Sequence, residues 1–248
     1  MNFTILRFDT IDSTNTEALK QARQGADEGL CVVARQQTAG RGRHGRVWIS
    51  PADAGLYFSV VLRPEIEPRY LPLVTLTSGV AVHDALAALG LAPDIKWVND
   101  ILVDEKKICG ILAESTDTPR GLAVVVGIGI NLRSTNFPPD VAARATSIEE
   151  CLGSNAPVEA RPVEAALIRE IDRWYSILSD DDGPAAVLRA WTERSSYAAG
   201  KAVTVDTGGE RITGVTQGLE PNGALRVEAA GGDIRVIQAG DVEMLRTA

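Results

Sequence analysis

The 248 residues carry 25 Lys and Arg against 33 Asp and Glu, a formal net charge of −8, and 45% are hydrophobic. That length suits one large domain or a medium domain with a small companion, and the acidic balance excludes non-specific nucleic-acid binding through the overall field. No stretch reaches the roughly 18 apolar residues of a membrane span, and MNFTILRFDTIDST lacks the regions of a signal peptide.

The elements follow in chain order. Phe3 to Phe8 reads as a strand, and Thr14-Asn15-Thr16-Glu17 has the form of a capping box, opening a helix that runs through Ala22 and stops near Gly25. Leu30 to Ala34 and Leu56 to Leu62 read as strands around the loop QQTAGRGRHGRVW, Gln36 to Trp48. Leu73 to Leu89 is apolar at helical spacing and closes at Gly90. Ile95 to Trp97 and Ile101 to Val103 are short strands joined by Val98-Asn99-Asp100. Lys107 to Ser115 and Gly121 to Asn131 are two further strands, and Val124-Val125-Val126 predicts burial on both faces. Asn136 to Ala160 reads as loop with a short helix. Pro162 suits a first helical position, with Val163, Leu167, Ile171, Trp174 and Leu178 on one helical face. A second helix follows Gly183-Pro184 and ends around Arg194.

The texture changes after Ser195. Ala202 to Asp206, Arg211 to Gln217, Ala224 to Glu228, Ile234 to Gln238 and Val242 to Leu245 are short strands separated by glycine turns, a small antiparallel barrel. The expected division is 1–198 and 199–248.

The loop concentrates Arg41, Arg43, Arg46 and His44 between Gly40, Gly42 and Gly45 in an acidic chain. Glycine lets backbone approach a ligand, and arginine presents a planar donor fork to carboxylate or phosphate. The loop therefore reads as a clamp for a small anion, against the alternative of a solvated basic loop. Lys96-Trp97-Val98-Asn99-Asp100 and Lys107-Ile108-Cys109-Gly110 supply further cations and a possible orienting carboxylate, though Asn-Asp is also simply a good turn. Ser13-Thr14-Asn15 is either a helix cap or a set of polar ligand contacts at a helix N-terminus. Gly127-Ile128-Gly129-Ile130-Asn131 lacks the third glycine of a dinucleotide fingerprint, yet two glycines in a buried strand imply close approach by a ligand or another backbone. His83 reads as structural. No nucleophile elbow and no P-loop occurs. Cys31, Cys109 and Cys151 are scattered without CxxC spacing, so neither a disulfide framework nor a zinc site is read, and a reduced, cytoplasmic compartment is expected.

These motifs, in this order, resemble the biotin–protein ligases. GRGRHGRVW is similar to the family's GRGRxGRxW, KWVND to its KWPND with Val98 in place of proline, KICGILAE to its KxxGILxE, GIGINL to its GxGxN strand, and Ser13-Thr14-Asn15 to its STN element. The resemblance covers essentially the whole chain. It implies an α+β fold: a mixed-sheet catalytic domain of the class II aminoacyl-tRNA synthetase-like type, plus a small C-terminal SH3-like barrel. It implies ATP, with Mg2+, and biotin as substrates, biotinyl-adenylate as intermediate, and a lysine of a biotin carboxyl carrier protein as acceptor. By the same resemblance, Ser13, Thr14, Asn15, Gln37, Gly40, Arg41, Gly42, Arg43, Lys107, Gly110 and Gly129 contact biotin. Arg41, Arg43, Arg46, Trp48, Lys96, Asn99, Lys107, Asn131 and Arg246 contact ATP or adenylate. Lys107 and Arg41 carry the chemistry, and Asp100 is expected to orient or accept the acceptor lysine's proton. The chain begins at the first catalytic strand, so a form without a DNA-binding domain is expected, as monomer or homodimer, no exposed apolar strand standing out to choose between the two, with neither nucleic acid nor membrane as partner. The rival readings are a lipoate–protein ligase or octanoyl transferase, and a non-catalytic biotin sensor.

Overall fold

A computed structural model describes residues 1–134, 137–153 and 157–244. Its elements are β1 (Thr4–Ile11), α1 (Thr14–Arg23), β2 (Leu30–Gln37), β3 (Gly55–Leu62), α2 (Leu73–Ala87), β4 (Asp94–Lys96), β5 (Asp100–Val103), β6 (Lys106–Thr118) and β7 (Gly121–Asn131). There follow α3 (Pro139–Ala142), α4 (Ile148–Leu152), α5 (Ala160–Leu178) and α6 (Gly183–Glu193), then β8 (Ala199–Asp206), β9 (Arg211–Leu219), β10 (Leu225–Ala229), β11 (Ile234–Ile237) and β12 (Asp241–Met244).

Two sheets organise these elements. The first has the order β1-β2-β3-β7-β6-β5-β4, with β1 and β2 parallel and every other pair antiparallel. The second is antiparallel, β11-β10-β9-β8-β12. The expected α+β class and both sheets are present.

The two-residue period of a strand assigns the faces of the first sheet. Phe58, Val60, Ile111, Val126, Ile128 and Ile130 join one large core with α2, α5 and α6. Val61, Ala123 and Val125 pack with Ala18, Leu19 and Ala22 of α1 on the other side. The run Val124-Val125-Val126 is thus buried on both faces, as its lack of alternation predicts. The second sheet shares the large core through Val203, Val205, Leu225 and Val227.

Three local readings are corrected. The cap of α1 is Ser13, whose Oγ accepts from Thr16 N at 3.5 Å, so the capping position lies one residue before Thr14. α5 begins at Ala160, which makes Pro162 its third residue; proline there still costs nothing, because the first-turn N–H groups lack helical partners. No exposed apolar strand was foreseen, yet β11 exposes Ile234 and Val236. The predicted loop 136–160 partly lies outside the described residues, and where described it holds α3 and α4. The Trp97–Val98 peptide bond is cis.

Candidate functional site

Glycine shapes the site's floor. On the α1 side of the first sheet, Gly110 of β6 lies beside Gly129 of β7, which pairs in turn with Tyr57 of β3; two residues along, Gly127 sits between Leu112 and Ser59. A Cβ on Gly127 would collide with the Asn15 side chain, and one on Gly129 with the Trp48 indole. A Cβ on Gly110 would meet both Trp48, at 2.9 Å, and Lys107. The two glycines read in β7 as places of close approach are therefore occupied by two side chains named from the sequence.

The α1 end of this floor is a closed polar network. Gln37 Oε1 accepts from Thr14 N at 2.7 Å and Thr14 Oγ1 at 3.1 Å, while its Nε2 donates to Ser50 Oγ at 2.8 Å. Ser59 Oγ lies 2.8 Å from Thr14 Oγ1 and 2.6 Å from Asn15 Oδ1. Asn15 Nδ2 donates to Leu112 O at 3.2 Å and Glu114 Oε2 at 2.9 Å. Ser13, Thr14, Asn15 and Ser59 are all buried, so each polar group must find a partner. Ser13-Thr14-Asn15 is accordingly both a cap and part of a site wall. Ser59 was not anticipated; its signal was a lone hydroxyl in the apolar strand LYFSVVL.

The glycine–arginine loop folds back as a short tongue. Trp48 N donates to Gly40 O at 2.9 Å, Gly42 N to Arg46 O at 2.7 Å, and Arg46 N to Arg43 O at 3.1 Å. His44 and Gly45 form its tip at φ 56° and 74°. Each arginine holds a different acceptor. Arg41 Nη2 donates to Glu114 Oε1 at 2.6 Å, and Arg43 Nη1 to Asn99 Oδ1 at 3.1 Å and Gly240 O at 3.3 Å. Arg46 pairs with Asp241. Burial lowers the Arg43 pKa, while the carboxylates of Asp241 and Asp100 oppose that shift. The Trp48 indole Nε1 is buried and has no hydrogen-bond partner among the described residues.

Lys107 stands at the rim of the same floor. Its Nζ is 2.5 Å from Asp100 Oδ1 and 5.4 Å from the centroid of the Trp48 ring. Lys96 Nζ lies 3.7 Å from the other oxygen of Asp100. The Lys107 backbone is tied to residues 144–146: Lys107 N donates to Arg144 O at 2.8 Å, and Thr146 N donates to Lys107 O at 3.0 Å. Asn131 Nδ2 donates to Thr146 O at 3.0 Å and Lys107 O at 3.4 Å, so its amide braces this backbone. Asn99 Nδ2 donates to Ile111 O at 2.8 Å.

The structure thus brings together every described residue named as a site candidate; Arg246 lies outside the described residues. Glu114 and the Gly240–Asp241 turn were not named, because their approach to the loop depends on strands far apart in the chain. His83, read as structural, faces Asp84 at 3.0 Å away from the site. Burial raises the thiols of Cys31, to about 12, and Cys109, which removes both as nucleophiles. A cavity of about 540 Å³ opens on the α5 side of the sheet, where Arg7 pairs with Glu164 and Arg35 with Asp53, and no candidate residue lines it.

A model of the Biotin/lipoate A/B protein ligase family matches residues 7–131, and a model of the Biotin protein ligase C terminal domain matches 199–245. The chain belongs to the biotin protein ligases. It is 36% identical to the Biotin--[acetyl-CoA-carboxylase] ligase of Mycobacterium tuberculosis, over 94% of this chain and 86% of the relative. It is also 36% identical to that of Paracoccus denitrificans, over 93% and 96%. It matches the Bifunctional ligase/repressor BirA of Bacillus spizizenii at 35% over 95% of this chain and 72% of that protein. The solved biotin protein ligase from Aquifex aeolicus in complex with biotin and ATP superposes with a TM-score of 0.84 at 28% identity, covering 98% and 99% of the two chains. The first family model spans biotin and lipoate ligases alike; the matched C-terminal domain and these relatives are of the biotin kind.

Proposed function

We propose that this chain is a biotin–[biotin carboxyl carrier protein] ligase that activates biotin with ATP and transfers it to a carrier lysine. One observation carries the reading most directly: Arg41, Arg43 and Lys107 stand around a glycine floor with Arg46 at its rim, and a polar wall of buried Ser13, Thr14 and Asn15 with half-buried Gln37 closes one end. Relatives of similar length are biotin ligases, and the Aquifex aeolicus neighbour is described with biotin and ATP.

The reaction sets two demands. In the first step biotin's carboxylate attacks the α-phosphorus of ATP, pyrophosphate leaves, and the mixed anhydride biotinyl-5'-adenylate forms. Two anions must be brought together, so fixed positive charge is needed before they arrive. Lys107, Arg41 and Arg43 meet that need, with Arg46 and Lys96 at the rim. Mg2+ arrives on the phosphates of ATP as part of that substrate. The neutral donors and acceptors of Ser13, Thr14, Asn15 and Gln37 suit an uncharged ring, and Gly40, Gly42, Gly110 and Gly129 allow it close to backbone. Trp48, whose indole N–H has no acceptor among the described residues, and Asn99 and Asn131 complete the adenylate side, as does Arg246 by resemblance. In the second step the deprotonated carrier amine attacks the acyl carbon, AMP leaves, and an amide forms. We assign Asp100 a positioning role, not a proton-accepting one, because its two oxygens already face Lys107 and Lys96.

We further propose a catalytic unit over 1–198, a barrel over 199–248 and a cytoplasmic setting. Among the described residues no helix is long and apolar enough to cross a membrane.

Lys107→Ala tests the reading. Pyrophosphate release with biotin and ATP falls at least about a hundredfold, the order of losing one transition-state-directed donor, while the circular dichroism spectrum is unchanged. Near-normal release by the variant removes Lys107 from the mechanism; use of lipoate in place of biotin by the wild type selects the rival ligase.

A further inference from the structure

The tip of the tongue is held from outside the first sheet. Gly240 and Asp241, entering β12, meet Arg43 and Arg46 across a sequence separation of almost two hundred residues. This turn is firmly placed. A Cβ on Gly240 would stand 2.8 Å from Val205 Cγ1, and Asp241 is in register with Asp206 of β8. Two carboxylates side by side on an antiparallel edge repel. Asp206 turns into its own hairpin, accepting from Gly208 N at 2.8 Å, and Asp241 turns to Arg46.

Arg43 and Arg46 move as a unit, because Arg46 N donates to Arg43 O and Gly42 N to Arg46 O. Fixing Arg46 therefore fixes where Arg43 points. Arg43 reaches Asn99, whose neighbour Asp100 holds Lys107 at 2.5 Å. A continuous line of contacts runs from the barrel to the lysine of the proposed chemistry: Asp241, Arg46, Arg43, Asn99, Asp100, Lys107.

We infer that Asp241 is a positioning residue, a latch by which the C-terminal barrel holds the arginine tongue over the nucleotide side of the site. What it positions rests on the ligase reading above; that it holds the tongue does not. The Arg46 side chain is 66% exposed and that of Asp241 29%, so the pair is worth little energetically and the latch opens readily. A weak latch suits a loop that must admit one substrate and release another.

The test uses the full chain with Asp241→Asn, Asp241→Glu and, as a control for charge, Asp206→Asn. Without ligands, Asp241→Asn speeds amide hydrogen exchange at residues 42–47 about threefold to fivefold, and exchange within β8 and β9 is unchanged. The KM for ATP rises by a similar factor, with kcat and the KM for biotin little altered. Asp241→Glu keeps both close to wild type, and Asp206→Asn changes neither. Asp241→Ser repeats the measurement should the asparagine disturb the β12–β8 pairing. Unchanged exchange at 42–47 overturns the latch. Faster exchange with an unchanged KM for ATP overturns the positioning role. A wild-type chain without pyrophosphate release counts against the ligase reading alone, and the exchange measurement still decides the latch.

Discussion

Arg41 and Lys107 look alike by charge and differ in what they lean on. Lys107 is held by Asp100 at 2.5 Å over the glycine floor, a fixed position that suits the role proposed for it toward the reacting phosphate. Arg41 lies against Glu114, which also accepts from Asn15, at the join between the polar wall and the tongue. A guanidinium there grips a phosphate bidentately and offers an uncharged ring much less. Arg41→Gly is therefore expected to weaken retention of biotinyl-adenylate more than binding of free biotin. Released adenylate acylates accessible lysines, so an unrelated lysine-rich protein is biotinylated faster by the variant, compared at equal adenylate production. Equal bystander labelling, or an equal loss of biotin affinity, moves the sealing role to Arg43 or Arg46.

Among the elements, the helices α2, α5 and α6 are tied behind the sheet by one carboxylate. Asp84 of α2 accepts from Arg194 Nε at 2.7 Å, just beyond α6, and from Trp174 Nε1 of α5 at 3.0 Å, with His83 beside it. Burial opposes its charge, but the hydrogen bonds from His83, Arg194 and Trp174 and the Arg194 charge outweigh it, holding the carboxyl well below its ordinary 3.8. A carboxyl with a depressed folded-state pKa contributes stability above its unfolded value and loses it as pH falls toward the folded one. Asp84→Asn is expected to cost about 3 kcal/mol in urea unfolding at pH 6, from stranding Arg194. The gap to wild type narrows by about 1 kcal/mol at pH 3. A gap of the same size at both pH values refutes the charge-based account.

At the scale of the molecule, the barrel is packed into the catalytic unit as well as beside its site. Trp97 Nε1 donates to Gly223 O at 3.0 Å, and a Cβ on Gly223 would stand 2.8 Å from Leu76 and 2.9 Å from Leu73. One apolar core contains Leu73, Ile95 and Trp97 together with Leu225 and Val227. A shared core makes neither part's buried face stable alone, so calorimetry should record a single unfolding transition. Leu225→Ala, which opens a cavity at a fully buried position, lowers that whole transition by about 2 to 5 kcal/mol. Two transitions, with the barrel's alone displaced, would show that the halves fold independently.

Most elements were readable because their signals are local. Alternation and β-branching marked the strands, glycine pairs marked the barrel turns, and the clamp motif carried its chemistry in consecutive residues. The two glycines of β7 announced close approach, since nothing else explains missing side chains inside a buried strand. Which residues would fill that space was not local information. Asn15 and Trp48 are far from Gly127 and Gly129 in sequence, and only the order β3-β7-β6 brings them over one floor. The cap of α1 slipped by one residue because Ser13 and Thr14 are equivalent as sequence; the pull of Gln37 on Thr14 decided between them. Ser59, Glu114 and Asp241 stayed hidden for the same reason, each defined by a partner on a helix or loop distant in the chain. Local chemistry and periodicity determined the elements and the cations of the site, and the resemblance of its motifs pointed to the family. The pairing of each cation with its own carboxylate or carbonyl was decided only by the fold, because such contacts depend on distance in space and leave no period in the chain.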